Sequence, residues 1–126
     1  MASSTRVVAP SYGRSMRGLR LLGPRGLGIR ALVPQTRRER MRGLLGRSRL
    51  ASDRALLLER TRSVHTFGMR FPITVALLDR ELVVRSVRPV PPGRLLLPRL
   101  GTRHVLECAP GADLRPGDRL RTVGED

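Results

Sequence analysis

The chain is organised around the stretch 65–73, which reads HTFGMRFPI. It contains both phenylalanines, one of the two histidines, and a glycine and a proline that favour changes of backbone direction. The sequence before this stretch predicts a helix, and the sequence after it predicts strands. We therefore interpret the rest of the chain as a scaffold for these residues.

Length and cysteine content set the class of protein. A chain of 126 residues has room for one domain with a core that needs no covalent staples. Its single cysteine excludes an internal disulfide and offers no metal-binding spacing. Its apolar runs fall far short of the ~18 residues needed to span a bilayer. We expect a soluble, cytoplasmic protein with no metal and no cofactor.

The formal charge of +15 suggests nucleic-acid binding, but its origin argues otherwise. All 25 basic residues are arginine, which is the pattern of a very GC-rich coding sequence. Residues 1–50 carry 12 arginines against Glu39 alone, whereas residues 51–126 carry 13 arginines against nine acids, a net +4. The basic character belongs mainly to the N-terminal part, so we expect no specific nucleic-acid partner.

Residues 1–28 lack acids and contain glycines and a proline between their leucines. Because each interior glycine costs a helix about 1 kcal/mol and proline about 3, this region favours a disordered Arg/Gly-rich tail. An organelle-targeting segment, a nucleic-acid-binding tail and an over-extended start are the alternatives. We place the folded domain at residues 29–123.

The domain begins with a predicted strand over 29–33, which Pro34 ends. Thr36 and Glu39 have the spacing of a capping box, in which each side chain satisfies an exposed amide at the start of a helix. The pattern predicts a helix that continues to about Leu45, with Gly46 as its C-cap.

From residue 54 the apolar pattern is that of strands. The predicted strands cover 55–58, 73–78, 82–87, 95–97, 104–108 and 119–123. Residues 73–78 are apolar on both faces, which places them inside a sheet. The turn 79–81 has no glycine, and Pro110-Gly111 and Pro116-Gly117 mark later turns. The fold class is mainly β: one compact β-sandwich or partly closed barrel with one short N-terminal helix.

Several of these motifs occur in the order of a known family. They are RGLLGR at 42–47, the stretch 65–73, an apolar strand that ends at Asp79, VLE at 105–107, and PGDR at 116–119. In this order the chain resembles the family called domain of unknown function one-nine-two over about residues 30–122.

The resemblance implies a compact β-sandwich with an N-terminal helix and no established activity. The chain departs from the family pattern in two places. Thr74 stands where members usually have an aspartate, and the usual hairpin glycine is missing between Glu81 and Leu82.

The candidate ligand-binding residues are the following five: His65, Thr66, Phe67, Met69 and Arg70. At least one phenylalanine of the stretch should anchor the core. His65 is either a functional group or a structural histidine. Arg70 is either a fork for a carboxylate or phosphate, or the ion-pair partner of Asp79 or Glu81. We identify no catalytic residues.

His104 and Cys108 are the remaining candidates for metal ligands. Their spacing of four on one strand separates them by ~13 Å, too far for one metal ion. We interpret His104 as structural and Cys108 as a small buried hydrophobe.

Two functions follow from the sequence. The first is a non-catalytic binding or accessory module whose 65–73 stretch binds a small anionic ligand or an extended peptide segment. The second is a nucleic-acid-associated protein that acts through its Arg-rich N-terminal tail. The sequence favours the first.

Overall fold

A computed structural model describes residues 16–42, 50–97 and 99–123. These residues form nine strands. In chain order they are β1 Arg17–Leu22, β2 Gly28–Val33, β3 Arg54–Leu58, β4 Val64–His65, β5 Ile73–Leu78, β6 Val84–Val90, β7 Leu95–Leu96, β8 His104–Cys108 and β9 Arg121–Val123. One short α-helical segment, α1, spans Arg37–Arg42, and a 3-10 turn spans Pro24–Gly26. The mainly β fold class is confirmed.

Seven of the strands in the described residues form one sheet, in the order β6-β5-β8-β3-β2-β1-β9. β2 and β3 run parallel, and the other neighbours are antiparallel. The sheet is not closed into a barrel. An isolated bridge between Val83 and Arg119 joins the segments that flank its two edge strands. β4 and β7 form a separate antiparallel pair.

Both faces of the large sheet are buried, and each carries its own core. The first core consists of Leu21, Ile29, Ala31, Val33, Ala55, Leu57, Ala76, Leu78, Val84, Leu106, Cys108, Leu114 and Leu120. The second core consists of Leu56, Leu58, Val64, Met69, Phe71, Ile73, Val75, Leu77, Val90, Leu96 and Val105. Successive residues of β5 alternate between the two, because neighbouring side chains of a strand point to opposite faces. The prediction that β5 lies inside the sheet is confirmed.

The second core has a cover made of the segment 64–72 and β7. From this cover, Val64, Met69, Phe71 and Leu96 contribute buried side chains. The stretch that the sequence singled out is therefore part of the layer that excludes water from one face of the sheet. Burial of an aliphatic or aromatic side chain contributes about 1.5–3 kcal/mol, so these anchors hold the layer in place.

The prediction that residues 1–28 form a disordered tail is wrong for residues 17–28. Arg17–Leu22 is a strand whose Leu21 is fully buried, and it pairs with both β2 and β9. The glycines and proline at 23–28 break a helix, as expected, but they do so to build the loop of a β-hairpin. The predicted disorder of residues 1–15 lies outside the described residues.

An ion pair fastens this hairpin loop to the rest of the domain. Arg25, at φ 61°, donates to both carboxylate oxygens of Asp118 at 3.0 and 2.6 Å. This contact holds the pKa of the buried Asp118 below its usual range. The acid belongs to the predicted Pro116-Gly117 turn, in which Gly117 has φ 95° and the Asp118 amide donates to the Arg115 carbonyl.

The predicted N-terminal helix is not supported as an element of the architecture. A β-hairpin begins the described chain, and α1 has six residues, less than two turns. The capping box itself is confirmed: the Glu39 amide donates to Thr36 Oγ1 at 3.1 Å, and the Thr36 amide donates to Glu39 Oε1 at 3.2 Å. The predicted continuation to Leu45 and the Gly46 cap lie outside the described residues.

The hairpin between β5 and β6 explains how the chain manages without the family glycine. Leu82 takes the left-handed conformation itself, at φ 65°. Asp79 Oδ1 accepts from the amides of Glu81 and Val83 at 2.9 and 3.0 Å, which fixes the turn. β6 then extends to Val90, three residues beyond its predicted end. It can include Pro89 because β6 is an edge strand.

Glu107 is a buried acid of the central strands that has no ion pair within the described chain. It is 3% exposed and lies in register between Leu56 and Val75. Glu107 is two residues from Val105 on β8, so its side chain points to the same face as Val105, toward the second core and its cover. Burial raises the pKa of the Glu107 carboxyl from 4.5 to about 7.

This raised pKa predicts a pH-dependent stability. The folded state binds the proton of Glu107 more tightly than the unfolded state, so the stabilisation is complete below pH 4.5 and is lost as the pH rises to about 7. We expect the free energy of unfolding to fall by up to about 3 kcal/mol across this window. Urea denaturation at about pH 5 and about pH 8 measures the difference.

Glu107→Gln is the control for this prediction, because its amide has a similar shape and does not titrate. The variant should lack the difference between the two pH values that wild type shows. If wild type and variant respond to pH identically, Glu107 is not the group responsible.

Candidate functional site

Thr66 fixes the stretch 65–73 to the loop that precedes β7. It is fully buried, and its hydroxyl donates to the Pro91 carbonyl at 2.6 Å while accepting from the Arg94 amide at 2.9 Å. Its amide donates to the Arg94 carbonyl at 2.8 Å, and its carbonyl accepts from the Gly93 amide at 2.9 Å. Thr66 thus pairs with four backbone groups of one facing loop, two through its hydroxyl and two through its own backbone.

A tight turn follows Thr66. The Met69 amide donates to the Thr66 carbonyl at 3.2 Å, and Gly68 has φ 81° at the third position of the turn. A type II turn requires positive φ at that position, where residues other than glycine are strained. The turn carries the chain from the outer surface of the cover into the second core.

The structure divides the five predicted site residues between two environments. Thr66 and Met69 are buried, so they position the stretch from inside. His65, Phe67 and Arg70 are exposed. The rings of His65 and Phe67 stack with their centroids 5.2 Å apart and an interplanar angle of 19°. These two rings and the Arg70 side chain form the solvent-facing part of the candidate site.

The two phenylalanines have different roles. Phe71 is 8% exposed and belongs to the second core, which confirms that one phenylalanine of the stretch is an anchor. Phe67 is 52% exposed. The sequence does not distinguish the two, because the turn at Gly68 decides which ring faces inward.

Arg70 does not make the ion pair with Asp79 or Glu81 that the sequence left open. Asp79 has Arg85 as its partner, with Arg85 Nη1 and Asp79 Oδ2 4.0 Å apart. Within the described chain Arg70 has no carboxylate partner. Its guanidinium therefore keeps its hydrogen-bond donors available to a ligand.

The surroundings of Arg70 are basic. The segments 60–78 and 82–106 contain eight arginines and no aspartate or glutamate. All eight arginines are exposed, and Arg85 is the member of this set with an ion pair among the described residues. This uneven distribution of charge gives the cover and its neighbouring loops a surface that attracts anions.

Sequence reasoning missed two residues beside the site, Leu95 and Leu97. They are 57% and 65% exposed, and Leu95 pairs directly with His65 across the β4–β7 ladder. The run of three leucines at 95–97 predicted a strand without showing which side chains are buried, and only its middle residue, Leu96, is buried. The strand β4 was also missed, because two residues give too little pattern to recognise.

His104 and Cys108 have structural surroundings. His104 Nδ1 accepts from the Arg60 amide at 3.0 Å, and burial lowers the pKa of the imidazole. Cys108 is buried in the first core, where burial raises the pKa of its thiol to about 12. No group of three metal-ligating side chains occurs among the described residues. In the same part of the chain, no helix has the length and apolar character required to cross a membrane.

Known proteins show the same fold. The family model of domain of unknown function one-nine-two, described as "Uncharacterized ACR", matches residues 22–122. A crystal structure of a protein of unknown function from Novosphingobium aromaticivorans is 20% identical, with a TM-score of 0.77 and 90% of each chain covered. A Sinorhizobium meliloti protein, provisionally called a transcription regulator, is 21% identical, with a TM-score of 0.72; the match covers 86% of this chain and 94% of that one. The curated proteins include no match.

The role of Thr66 can be tested with two identical substitutions. Thr66→Val removes both hydrogen bonds of the buried hydroxyl and leaves the Pro91 carbonyl and the Arg94 amide without these partners, so it should lower the free energy of unfolding by about 1–3 kcal/mol. Thr102→Val is the control, because Thr102 is also buried and its hydroxyl has no hydrogen-bond partner among the described residues. It should be neutral or slightly stabilising. Urea denaturation measures both, and equal losses would contradict the role assigned to Thr66.

The phenylalanines provide a second matched pair. Phe71→Ala should lower the free energy of unfolding by about 3–5 kcal/mol, because it leaves a cavity in the second core. Phe67→Ala should change it by less than about 1 kcal/mol, because half of this ring is already exposed. Thermal melts compare them. A larger loss for Phe67→Ala would mean that the assignment of anchor and exposed ring is reversed.

Proposed function

Because this chain belongs to the family called domain of unknown function one-nine-two, whose description assigns no activity, we propose its function from the site alone. We propose that the protein is a non-catalytic binding module, and that His65, Phe67 and Arg70 bind a ligand carrying a carboxylate or phosphate group. The observation that carries this proposal is the exposed guanidinium of Arg70. It has no carboxylate partner among the described residues, and it lies between two buried residues, Met69 and Phe71.

The position of Arg70 supports anion binding in two ways. Met69 and Phe71 are both buried in the second core, so the backbone of Arg70 is held in place before any ligand arrives. A guanidinium presents a planar fork of donors that matches the two oxygens of a carboxylate or phosphate. The stacked rings of His65 and Phe67 add an apolar surface on the outer side of the same cover.

Catalysis has less support than binding. A general acid or base needs a partner within hydrogen-bonding reach, and no hydrogen bond of the His65 side chain connects it to another described residue. Thr74, at the position where relatives usually carry an aspartate, is on the face of β5 that contains Ala76 and Leu78 of the first core. An acid there would face away from the stretch 65–73.

The nucleic-acid alternative loses part of its basis. Of the five arginines in residues 1–28, Arg17 pairs with Glu59, and Arg25 pairs with Asp113 and Asp118. These two arginines support the sheet and are less available for phosphate contacts. The likeness to a protein provisionally called a transcription regulator stands at 21% identity and concerns the fold alone.

Arg70→Ala tests the proposal, with citrate and inorganic phosphate as probes. An anion that binds only the folded state raises the melting temperature, and about 1 kcal/mol corresponds to a shift of about 4–8 °C in a domain of this size. We expect wild type to gain several degrees at constant ionic strength, and Arg70→Ala to lose most of that gain while its stability without anion changes by less than about 1 kcal/mol.

Arg121→Ala is the matched control. Arg121 is also an exposed arginine without a carboxylate partner among the described residues, but it lies on the edge strand β9. Its replacement should leave the anion response intact. Equal responses of Arg70→Ala and Arg121→Ala would show that citrate and phosphate act through general charge or exclusion from the surface, and the proposal would be abandoned.

A further inference from the structure

The strand pair β4–β7 leaves one strand edge open beside the proposed site. It contains two strands in the described chain, so β7 has β4 on one side and no strand on the other. An open edge presents backbone N–H and C=O groups that can pair with another chain.

The hydrogen bonds of Thr66 indicate which backbone groups of β7 point toward this open edge. The Thr66 amide donates to the Arg94 carbonyl, and the Arg94 amide donates to the Thr66 hydroxyl, so these two residues face one another. Residues of an antiparallel ladder alternate between facing the partner strand and facing away from it. Leu95, the next residue, therefore directs its N–H and C=O toward the open edge, where no described residue bonds to them.

The side chains along this edge are apolar and project into solvent. Leu95 and Leu97 are both more than half exposed, and two-residue spacing puts them on one face of an extended segment. Leu95 pairs with His65, which stacks on Phe67. The open edge and the proposed anion site therefore form one continuous surface.

The charge around the edge selects the occupant. Arg94 and Arg99 are exposed on either side of β7, and no acid occurs in 60–78 or 82–106. An extended partner would meet apolar side chains and arginines, and no carboxylate from these segments would repel an acidic residue. Acidic residues that alternate with apolar ones match this pattern, since alternate side chains of a strand face opposite ways.

We infer that the partner of the proposed site is an extended protein segment in which acidic and apolar residues alternate, and that it binds by adding a third strand at the open edge of β7, beside Leu95. This inference rests on the proposed function and specifies its ligand. Backbone hydrogen bonds at Leu95 set the register of the added segment. Leu95, Leu97 and Phe67 contact its apolar side chains, and the arginines neutralise its acids.

The experiment uses the full chain and a short fluorescein-labelled peptide in which glutamate alternates with valine, monitored by fluorescence anisotropy. Two derivatives carry N-methyl groups, one on the valine amides and the other on the glutamate amides. Only one set of amides can face β7 in an added strand. We expect one derivative to bind at least about tenfold more weakly than the parent, whereas the other binds like the parent.

A protein variant tests the position of the added strand. Leu95→Glu should weaken binding of the parent peptide by about tenfold, because it replaces an apolar contact with a carboxylate that the valine side chains would have to desolvate. Leu100→Glu introduces the same charge at a fully exposed leucine outside β7 and should have little effect. Both leucine side chains are more than half exposed, so either variant should fold, and a thermal melt checks this.

Three outcomes would overturn the inference. Equal binding of both methylated peptides and the parent would exclude strand addition, and equal effects of Leu95→Glu and Leu100→Glu would exclude β7 as its place. Tighter binding of a single-stranded oligothymidylate than of the peptide would make nucleic acid the occupant. In each case the Arg70-dependent response to citrate or phosphate is measured separately, so the proposed function can stand when this inference fails.

Discussion

The structure depends on the burial of β5, β8 and β3 on both faces. Strands with apolar side chains on both sides require two protecting layers, and a chain of 126 residues has little material to build them. The first core is enclosed by the curvature of the sheet and by the loops that contribute Leu114 and Leu120. The second core needs a cover, which the segment 64–72 and β7 supply. This layer requires apolar contact with the sheet, whatever its outer surface binds.

The turn at Gly68 gives the cover an inner face and an outer face with different residues. In an uninterrupted strand His65, Phe67, Met69 and Phe71 would share one face. The positive φ of Gly68 changes that alternation, so that His65 and Phe67 face outward while Met69 and Phe71 face the core. Thr66 stabilises the change by satisfying the backbone of the facing loop. A binding surface placed on such a layer is rigid because its supporting residues are already committed to packing.

The sequence predicts most where one physical signal dominates. The bounds of β5 and β8 agree with the prediction, because the apolar run of β5 ends at Asp79 and Pro110 follows β8 closely. β1 was missed because the glycines and proline at 23–28 indicate broken structure without telling a disordered tail from a hairpin loop. Within the candidate site, the sequence identified Arg70 but left open an ion pair between Arg70 and Asp79. Asp79 instead contacts Arg85 and two backbone amides, which depends on the folded hairpin. Leu95 and Leu97 were hidden by the core-like run that contains them.

The pairing of β1 with β9 has a consequence for the route by which the domain folds. Arg20 and Val123 are partners although about a hundred residues separate them along the chain. Closing a loop of that length gives up more chain entropy than closing any local hairpin, and non-local pairing of this kind is associated with slow folding. The β5–β6 hairpin closes through a few residues and can form early, whereas β9 pairs with β1 only when two distant parts of the chain meet. Synthesis on the ribosome reinforces this order, because β9 is made after the other eight described strands.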